Sequence, residues 1–235
     1  MRYEKVDDLN GEKTILFSKN NNLIPIDKLS TGEKQIVFRG VFLLRNTKIL
    51  DGATILIDEP ELSMHPKWER KILSYYKKLF SMSGKQDAQI LFATHSDHVL
   101  REALVDTSNN LVTTLEEKNG VIACRHINTP SILPSVTTAE TTYLAFDVVS
   151  NDYHIELYGF IQDKFGVHTV KDCDNFITNH VNYDPIKYSR PSAHRTTTYN
   201  TLSTYIRNCI HHPDSGNTFT EQDLRTSIEF LISIC

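Results

Sequence analysis

The chain has 235 residues, 40% apolar and 23% charged, with a formal net charge of −4, a globular composition that excludes a fibrous or disordered polymer. No apolar run nears the roughly 18 residues of a membrane span, and the polar residues 1–8 form no signal-peptide core, so a soluble, cytoplasmic protein with no membrane partner is expected. Its four cysteines, Cys124, Cys173, Cys209 and Cys235, are far apart with no C-x-x-C pair, which argues against a disulfide framework or a zinc module.

In chain order, residues 13–17 and 22–25 read as short strands around the polar tip Lys19-Asn20-Asn21. From Ser30 the period becomes helical: Ile36, Val37, Gly40, Val41, Leu43 and Leu44 make a broad apolar face running to about Asn46, which predicts a largely buried helix. Residues 53–57 are a continuous apolar run, as in a central parallel strand covered on both faces. His65-Pro66 opens the next helix, with Trp68, Ile72, Leu73, Tyr76, Leu79 and Phe80 at helical spacing and Gly84 as its stop. Residues 89–93 are a second buried strand and residues 97–104 a further helix. Residues 111–117 and 121–127 form a hairpin around Asn119-Gly120, a strong short turn signal. Thr129-Pro130 and Leu133-Pro134 mark a boundary over residues 128–136. Beyond it, helices are predicted over 139–146, 152–165, 197–211 and 221–234, the last with Thr220 and Asp223 placed as a capping box. The polar, proline-interrupted residues 179–195 read as a long loop.

Three short segments carry chemistry. Asp58-Glu59 ends a buried strand, where open α/β sheets place their ligands, and adjacent carboxylates there suit a divalent metal and a hydrolytic base. A strand running into a polar turn is the plainer alternative. Ser30-Thr31-Gly32-Glu33 fits the S-x-x-E capping box that simply starts a helix; the same capped N-terminus also offers backbone N–H groups to a phosphate. His95, between Thr94 and Ser96, is either a satisfied core histidine or, on the sheet edge it shares with Glu59, a polar contact to a terminal phosphate or a water. No G-x-x-x-x-G-K-[ST] phosphate loop occurs; Gly84-Lys85-Gln86 lacks the leading glycine and the hydroxyl residue.

In order and wording these segments resemble the C-terminal half of an ABC-type ATPase of the SMC/RecF-like, AAA_21 group found in bacterial anti-phage systems. Residues 29–35 (LSTGEKQ) resemble the signature motif, with Thr31 and Glu33 replacing a Gly and a Gln. Residues 55–59 resemble Walker B, residues 59–66 the D-loop region, and Thr94-His95-Ser96 the switch histidine. The resemblance implies ATP and Mg2+ as cofactors, with Asp58 on the metal, Glu59 as general base and His95 at the γ-phosphate. It implies that Ser30, Thr31, Gly32 and Glu33 meet ATP held by a facing copy or a related ATPase protomer. The expected fold is therefore α/β: a partial P-loop ATPase lobe over residues 1–128 without the Walker A strand and loop, a linker over 129–138, and a mainly helical domain over 139–235. Without the phosphate loop, the expectation is a truncated product or one piece of a split ATPase, active only when another chain supplies the missing lobe.

The tail is acidic: residues 129–235 carry 7 Lys and Arg against 12 Asp and Glu, whereas residues 1–128 carry 18 against 17. Broad nucleic-acid binding by the tail is thereby disfavoured. Arg207-Asn208-Cys209-Ile210-His211-His212 nevertheless resembles the R-N-x-x-x-H motif of HEPN ribonucleases, in which Arg207 would hold phosphate and His212 move a proton. An ordinary helix end, with Leu202, Tyr205, Ile206 and Cys209 as its core stripe, is the alternative. Three functions are carried forward: an ABC-type ATPase subunit in anti-phage defence or DNA maintenance, with a nuclease effector or nucleic acid as further partners; an ATPase-controlled HEPN-like ribonuclease; and an inactive remnant that keeps only a dimer surface.

Overall fold

The computed structural model describes residues 1–9, 11–45, 52–82, 85–86, 88–127, 132–194 and 196–235. They form a mixed α/β chain that divides into two compact units, Met1–Glu102 and Ala103–Cys235, with separate apolar clusters. This division precedes the predicted boundary at 128–136, of which residues 128–131 lie outside the described residues.

The first unit opens with an antiparallel meander of β1 (Arg2–Leu9), β2 (Glu12–Lys19) and β3 (Asn22–Pro25). Asn20 and Asn21 turn the β2–β3 hairpin at φ 53° and 63°, a left-handed pair that asparagine tolerates better than most residues. Next comes α1 (Thr31–Arg45); Asn46, its predicted end, lies outside the described residues. The prediction that this helix is largely buried is corrected, since Phe38 and Val41 are 57% and 56% exposed. Gly32, Glu33 and Gly40 turn inward instead.

The two parallel strands β4 (Thr54–Asp58) and β7 (Gln89–Ala93) pair in register from Thr54 with Gln89 to Asp58 with Ala93. Ile55 and Ile57 are buried with Ile72, Tyr76, Phe80 and Val99, while Leu56 is 76% and Leu91 45% exposed. The expectation of cover on both faces is thus corrected: one face carries the core and the other is open. The predicted helix after His65 begins as expected, with His65 Nδ1 accepting from Lys67 N at 3.1 Å. It is interrupted, however, into α2 (Pro66–Glu69) and α3 (Ile72–Leu79), because Lys71 sits at φ −122°, ψ 0°. A short antiparallel pair, β5 (Ser81–Met82) and β6 (Lys85–Gln86), follows; Gly84, the predicted stop, lies outside the described residues. Then comes α4 (Asp97–Val105).

In the second unit, β8 (Val112–Lys118) and β9 (Val121–Ile127) form the hairpin expected of Asn119-Gly120, with φ 54° and 76°. Helices α5 (Thr138–Phe146), α6 (Asn151–Phe165) and α7 (Val170–Thr178) succeed it. The predicted loop over 179–195 is corrected to α8 (Pro185–Tyr188) and β10 (Ser189–His194). The predicted helix over 197–211 is corrected to β11 (Thr197–Thr201), paired with β10, and α9 (Leu202–His211). The cause is long-range: buried Asp174 accepts from Asn200 N, Thr201 N and Thr201 Oγ1 at 2.9, 3.1 and 2.8 Å, which holds the chain extended before the helix starts. The last helix, α10 (Glu221–Ile234), carries the complete Thr220–Asp223 capping box. Between α6, α9 and α10 the fully buried His154 pairs through Nε2 with Ser227 Oγ at 2.9 Å, and Ser227 donates to Ser203 Oγ at 2.7 Å. Burial without a charged partner pushes the imidazole down to about 3.

Candidate functional site

Because β4 and β7 are parallel and in register, their carboxyl ends share one edge of the sheet. Asp58 and the residues before His95 therefore arrive together. Glu59 follows with φ 42°, a left-handed conformation that costs a non-glycine residue on the order of 1 kcal/mol and is concentrated at functional sites. Three hydrogen bonds hold it there. Its N–H donates to Ala93 O at 2.8 Å, and its carbonyl accepts from Leu62 N at 3.1 Å and from Arg39 Nη1 of α1 at 3.2 Å. Asp58 and His95 are exposed and Glu59 is half-buried, so three groups able to act on a phosphate stand at one accessible edge.

The turn beyond Glu59 is tied back to the same edge. Thr94 Oγ1 donates to Glu61 and accepts from Ser96 N at 3.0 Å. Ser96 Oγ donates to Glu69 Oε2 and accepts from Val99 N, at 3.0 and 3.4 Å. Glu61 lies in the 59–66 stretch that resembles the D-loop region but carries no role of its own there, and neither Glu69 nor Arg39 stands out in the sequence. The pairs 61/94 and 69/96 are 33 and 27 residues apart, and no periodicity reports such contacts.

At the start of α1 the capping box is formed in full: Ser30 N and Oγ donate to Glu33 Oε2 at 2.9 and 3.0 Å, and Glu33 N donates to Ser30 Oγ at 3.3 Å. Lys19 Nζ lies 2.7 Å from Glu33 Oε1. Burial raises the Glu33 carboxyl, but the Lys19 ammonium and the Ser30 N–H and O–H outweigh it and hold it below its ordinary value. Glu33, predicted in the binding set, directs its carboxylate to the cap, while Ser30 and Thr31 are exposed. Gly32 lies hard against the turn after the acid pair: a Cβ there would stand 2.6 Å from Ser63 O and 3.4 Å from Met64 Cα. The helix start and the post-Glu59 turn are thus one packed assembly.

No group of three or more His, Cys, Asp or Glu among the described residues could hold a metal ion by itself. Mg2+ takes one or two carboxylates and completes its shell with phosphate oxygens and water. Asp58, an exposed oxygen donor beside Glu59, fits such an ion carried in on a nucleotide.

In the second unit, Leu202, Ile206 and Cys209 are buried as the stripe predicts. Arg207 is half-buried and donates to Asn208 Oδ1 at 3.1 Å. His212, exposed, caps α9 outside helical geometry at φ −131°, ψ 65°. Burial first, then the charges of Arg207 and His212, hold His211 below the usual histidine value.

The known proteins that this chain is similar to are ATPases of the SMC/RecF-like kind. Residues 3–101 match the family described as "AAA domain, putative AbiEii toxin, Type IV TA system", AAA_21. A "Retron Ec83 probable ATPase" of Escherichia coli is 33% identical over 104 residues, 40% of this chain and 18% of that protein. An "OLD nuclease" of Thermus scotoductus is 29% identical over 80 residues, 34% of this chain and 15% of that protein. The chain spans less than a fifth of the length of either relative. A solved chain from work on ATP-driven dimerization and DNA-stimulated activation of SMC ATPases aligns with TM-score 0.39 and 15% identity over 50% of this chain and 66% of that one, too distant a likeness to carry an argument. No helix among the described residues is long and apolar enough to cross a membrane.

Proposed function

We propose that the edge formed by Asp58, Glu59 and His95 hydrolyses ATP when a lobe bearing a phosphate loop, on this or another polypeptide, docks beside it. The convergence of those three groups at the ends of two paired parallel strands carries the reading. Glu59 accepts a proton from the attacking water as that oxygen bonds to the γ-phosphorus and the bond to the ADP oxygen breaks. His95 donates a hydrogen bond to a γ-phosphate oxygen, and Asp58 would hold Mg2+. Mg2+, when bound, neutralises charge shared between the β- and γ-phosphates. The open face of β4 and β7, with Leu56 and Leu91 exposed, is where the complementary lobe would complete the sheet's cover.

Ser30 and Thr31 face ATP held by a second protomer, with Gly32 packed behind them on the Ser63 turn, so that each nucleotide is sandwiched between two chains. The exposed, fully capped start of α1 supports this arrangement. A role in anti-phage defence or DNA maintenance, with a nuclease effector or nucleic acid as partner, belongs to the same proposal and draws on the AAA_21 match and the OLD nuclease relative.

Mixing tests the sandwich. Ser30→Arg and Glu59→Gln assemblies should each be inactive, and exchanging their protomers should restore about a quarter of wild-type ATP turnover, because half the dimers then hold one intact composite site. No restoration on confirmed exchange would reject the shared site.

A second reading, a ribonuclease in the tail, rests on the R-N-x-x-x-H spacing of Arg207 and His212, with His212 exposed and outside helical geometry at φ −131°, ψ 65°. Arg207→Ala and His212→Ala should then abolish RNA cleavage while leaving ATP turnover intact; cleavage surviving both would exclude it.

A further inference from the structure

We propose that Glu61 and Glu69 are positioning residues that clamp the segment 94–96 from both sides and thereby aim His95 at the sheet edge; this rests on the ATPase reading for its catalytic consequence. His95 is flanked by two hydroxyls, and each does two things at once. Thr94 Oγ1 accepts Ser96 N at 3.0 Å, closing a local turn around His95, and is oriented to do so because its proton goes to Glu61. Ser96 Oγ accepts Val99 N at 3.4 Å, and Ser96 O accepts Leu100 N at 3.1 Å, so Ser96 caps α4. Its proton goes to Glu69 Oε2 at 3.0 Å.

A free hydroxyl samples several rotor positions. One whose proton is committed to a carboxylate presents a lone pair in a fixed direction, and hydrogen bonds to ionised acceptors are about twice as strong as neutral ones. Each carboxylate therefore stiffens a backbone turn it does not itself touch. Glu61 Oε2 is buried and has no hydrogen-bond partner among the described residues, so the described side-chain bonding of Glu61 is directed to Thr94.

Both carboxylates come from the segment after Glu59: Glu61 lies in the turn that packs on Gly32, and Glu69 ends α2. Glu59 is anchored to Ala93 O, one residue before Thr94. The general base and the histidine are thus fixed to one frame at three points, Glu59 to Ala93, Glu61 to Thr94 and Glu69 to Ser96. A histidine donor displaced by an ångström loses most of its effect on the transition state.

The test uses the full chain with 15N-labelled histidine. His95 imidazole signals, assigned with His95→Gln, are compared in Glu61→Leu, Glu69→Leu and Thr94→Val and in the acceptor-retaining Glu61→Gln and Glu69→Gln. The Leu and Val variants should shift or split the His95 signals while the Gln variants keep the wild-type spectrum. In an ATP-hydrolysing assembly the same Leu variants should lower kcat roughly 10- to 100-fold with KM unchanged, and the Gln variants should restore it. Wild-type His95 signals in the Leu and Val variants, or Gln variants no better than Leu, would overturn the clamp. Thr94→Val, nearly isosteric, serves where a Leu variant fails to fold. Displaced His95 signals in the Leu and Val variants, together with a wild-type assembly that turns over no ATP, would uphold the clamp and defeat the ATPase reading instead.

Discussion

Replacing Gly32 by alanine separates a packed helix start from an ordinary one by the sign of its effect. At an unencumbered helical site, alanine stabilises by up to about 1 kcal/mol relative to glycine. Here the new Cβ stands 2.6 Å from Ser63 O, and ordinary contact begins at 3.4 Å, so the Ser63 turn or the helix must yield by about 0.8 Å. The atom met is backbone, in a residue already at φ 63°, and it cannot swing aside as a side chain would. Overpacking of this kind costs about 1–3 kcal/mol, which offsets the gain in helix propensity and leaves a net loss of up to about 2 kcal/mol. Trp68 is the single tryptophan and lies in the first unit, so its fluorescence in a urea titration follows that unit. With a slope of about 2 kcal/mol per molar urea, the midpoint should fall by up to roughly 1 M. Gly40→Ala is the internal comparison, because among the described residues its Cβ meets only Tyr75 Oη, the far end of a side chain, at 3.0 Å; it should be near neutral. A midpoint that rises for Gly32→Ala would refute the packing of the Ser30 turn on the Ser63 turn.

Acid should loosen the first unit through Glu33. Its folded pKa is depressed, so its stabilisation is present above the ordinary value of 4.5 and is lost as pH falls through the lower folded value; Glu33→Gln should flatten that part of the Trp68-monitored pH profile. The second unit should weaken earlier. His154 is held neutral with a folded pKa of about 3 against 6.5 unfolded, so stability falls once pH drops below 6.5, by up to about 1.4 kcal/mol per pH unit. Circular dichroism of urea unfolding between pH 7 and 5 should show this slope in the wild type and not in His154→Gln. Thr220→Ala removes the hydroxyl that accepts Asp223 N at 3.1 Å at the start of α10 and should cost about 1 kcal/mol in the same unfolding assay.

What could be read from residues alone was what neighbours in sequence decide. The strand β7, the helix α10 with its Thr220–Asp223 cap, and the Asn119-Gly120 hairpin all appear where local pattern puts them. The edge carrying Asp58, Glu59 and His95 was equally legible, because two apolar runs each ending in polar residues imply parallel strands with a shared end. The strand β1 escaped notice, since its Lys5-Val6-Asp7-Asp8 stretch is polar and mostly exposed and offers no alternation. β10 and β11 escaped because Asp174, some 26 residues upstream of Asn200, supplies the bonds that keep them extended. Leu56 misled in the other direction: an unbroken apolar run implies cover on both faces, and here Leu56 is 76% exposed. The hydrogen bonds of Glu61 with Thr94 and Glu69 with Ser96 join residues 33 and 27 positions apart, which no local pattern announces.

The most direct measurement is single-turnover ATP hydrolysis by the chain assembled with a lobe that supplies the phosphate loop, comparing wild type with Glu59→Gln. If Glu59 is the base at the shared strand edge, nucleotide binding should persist while the chemical step slows roughly 100- to 10,000-fold. Hydrolysis at the wild-type rate in Glu59→Gln would show that the chemistry lies elsewhere.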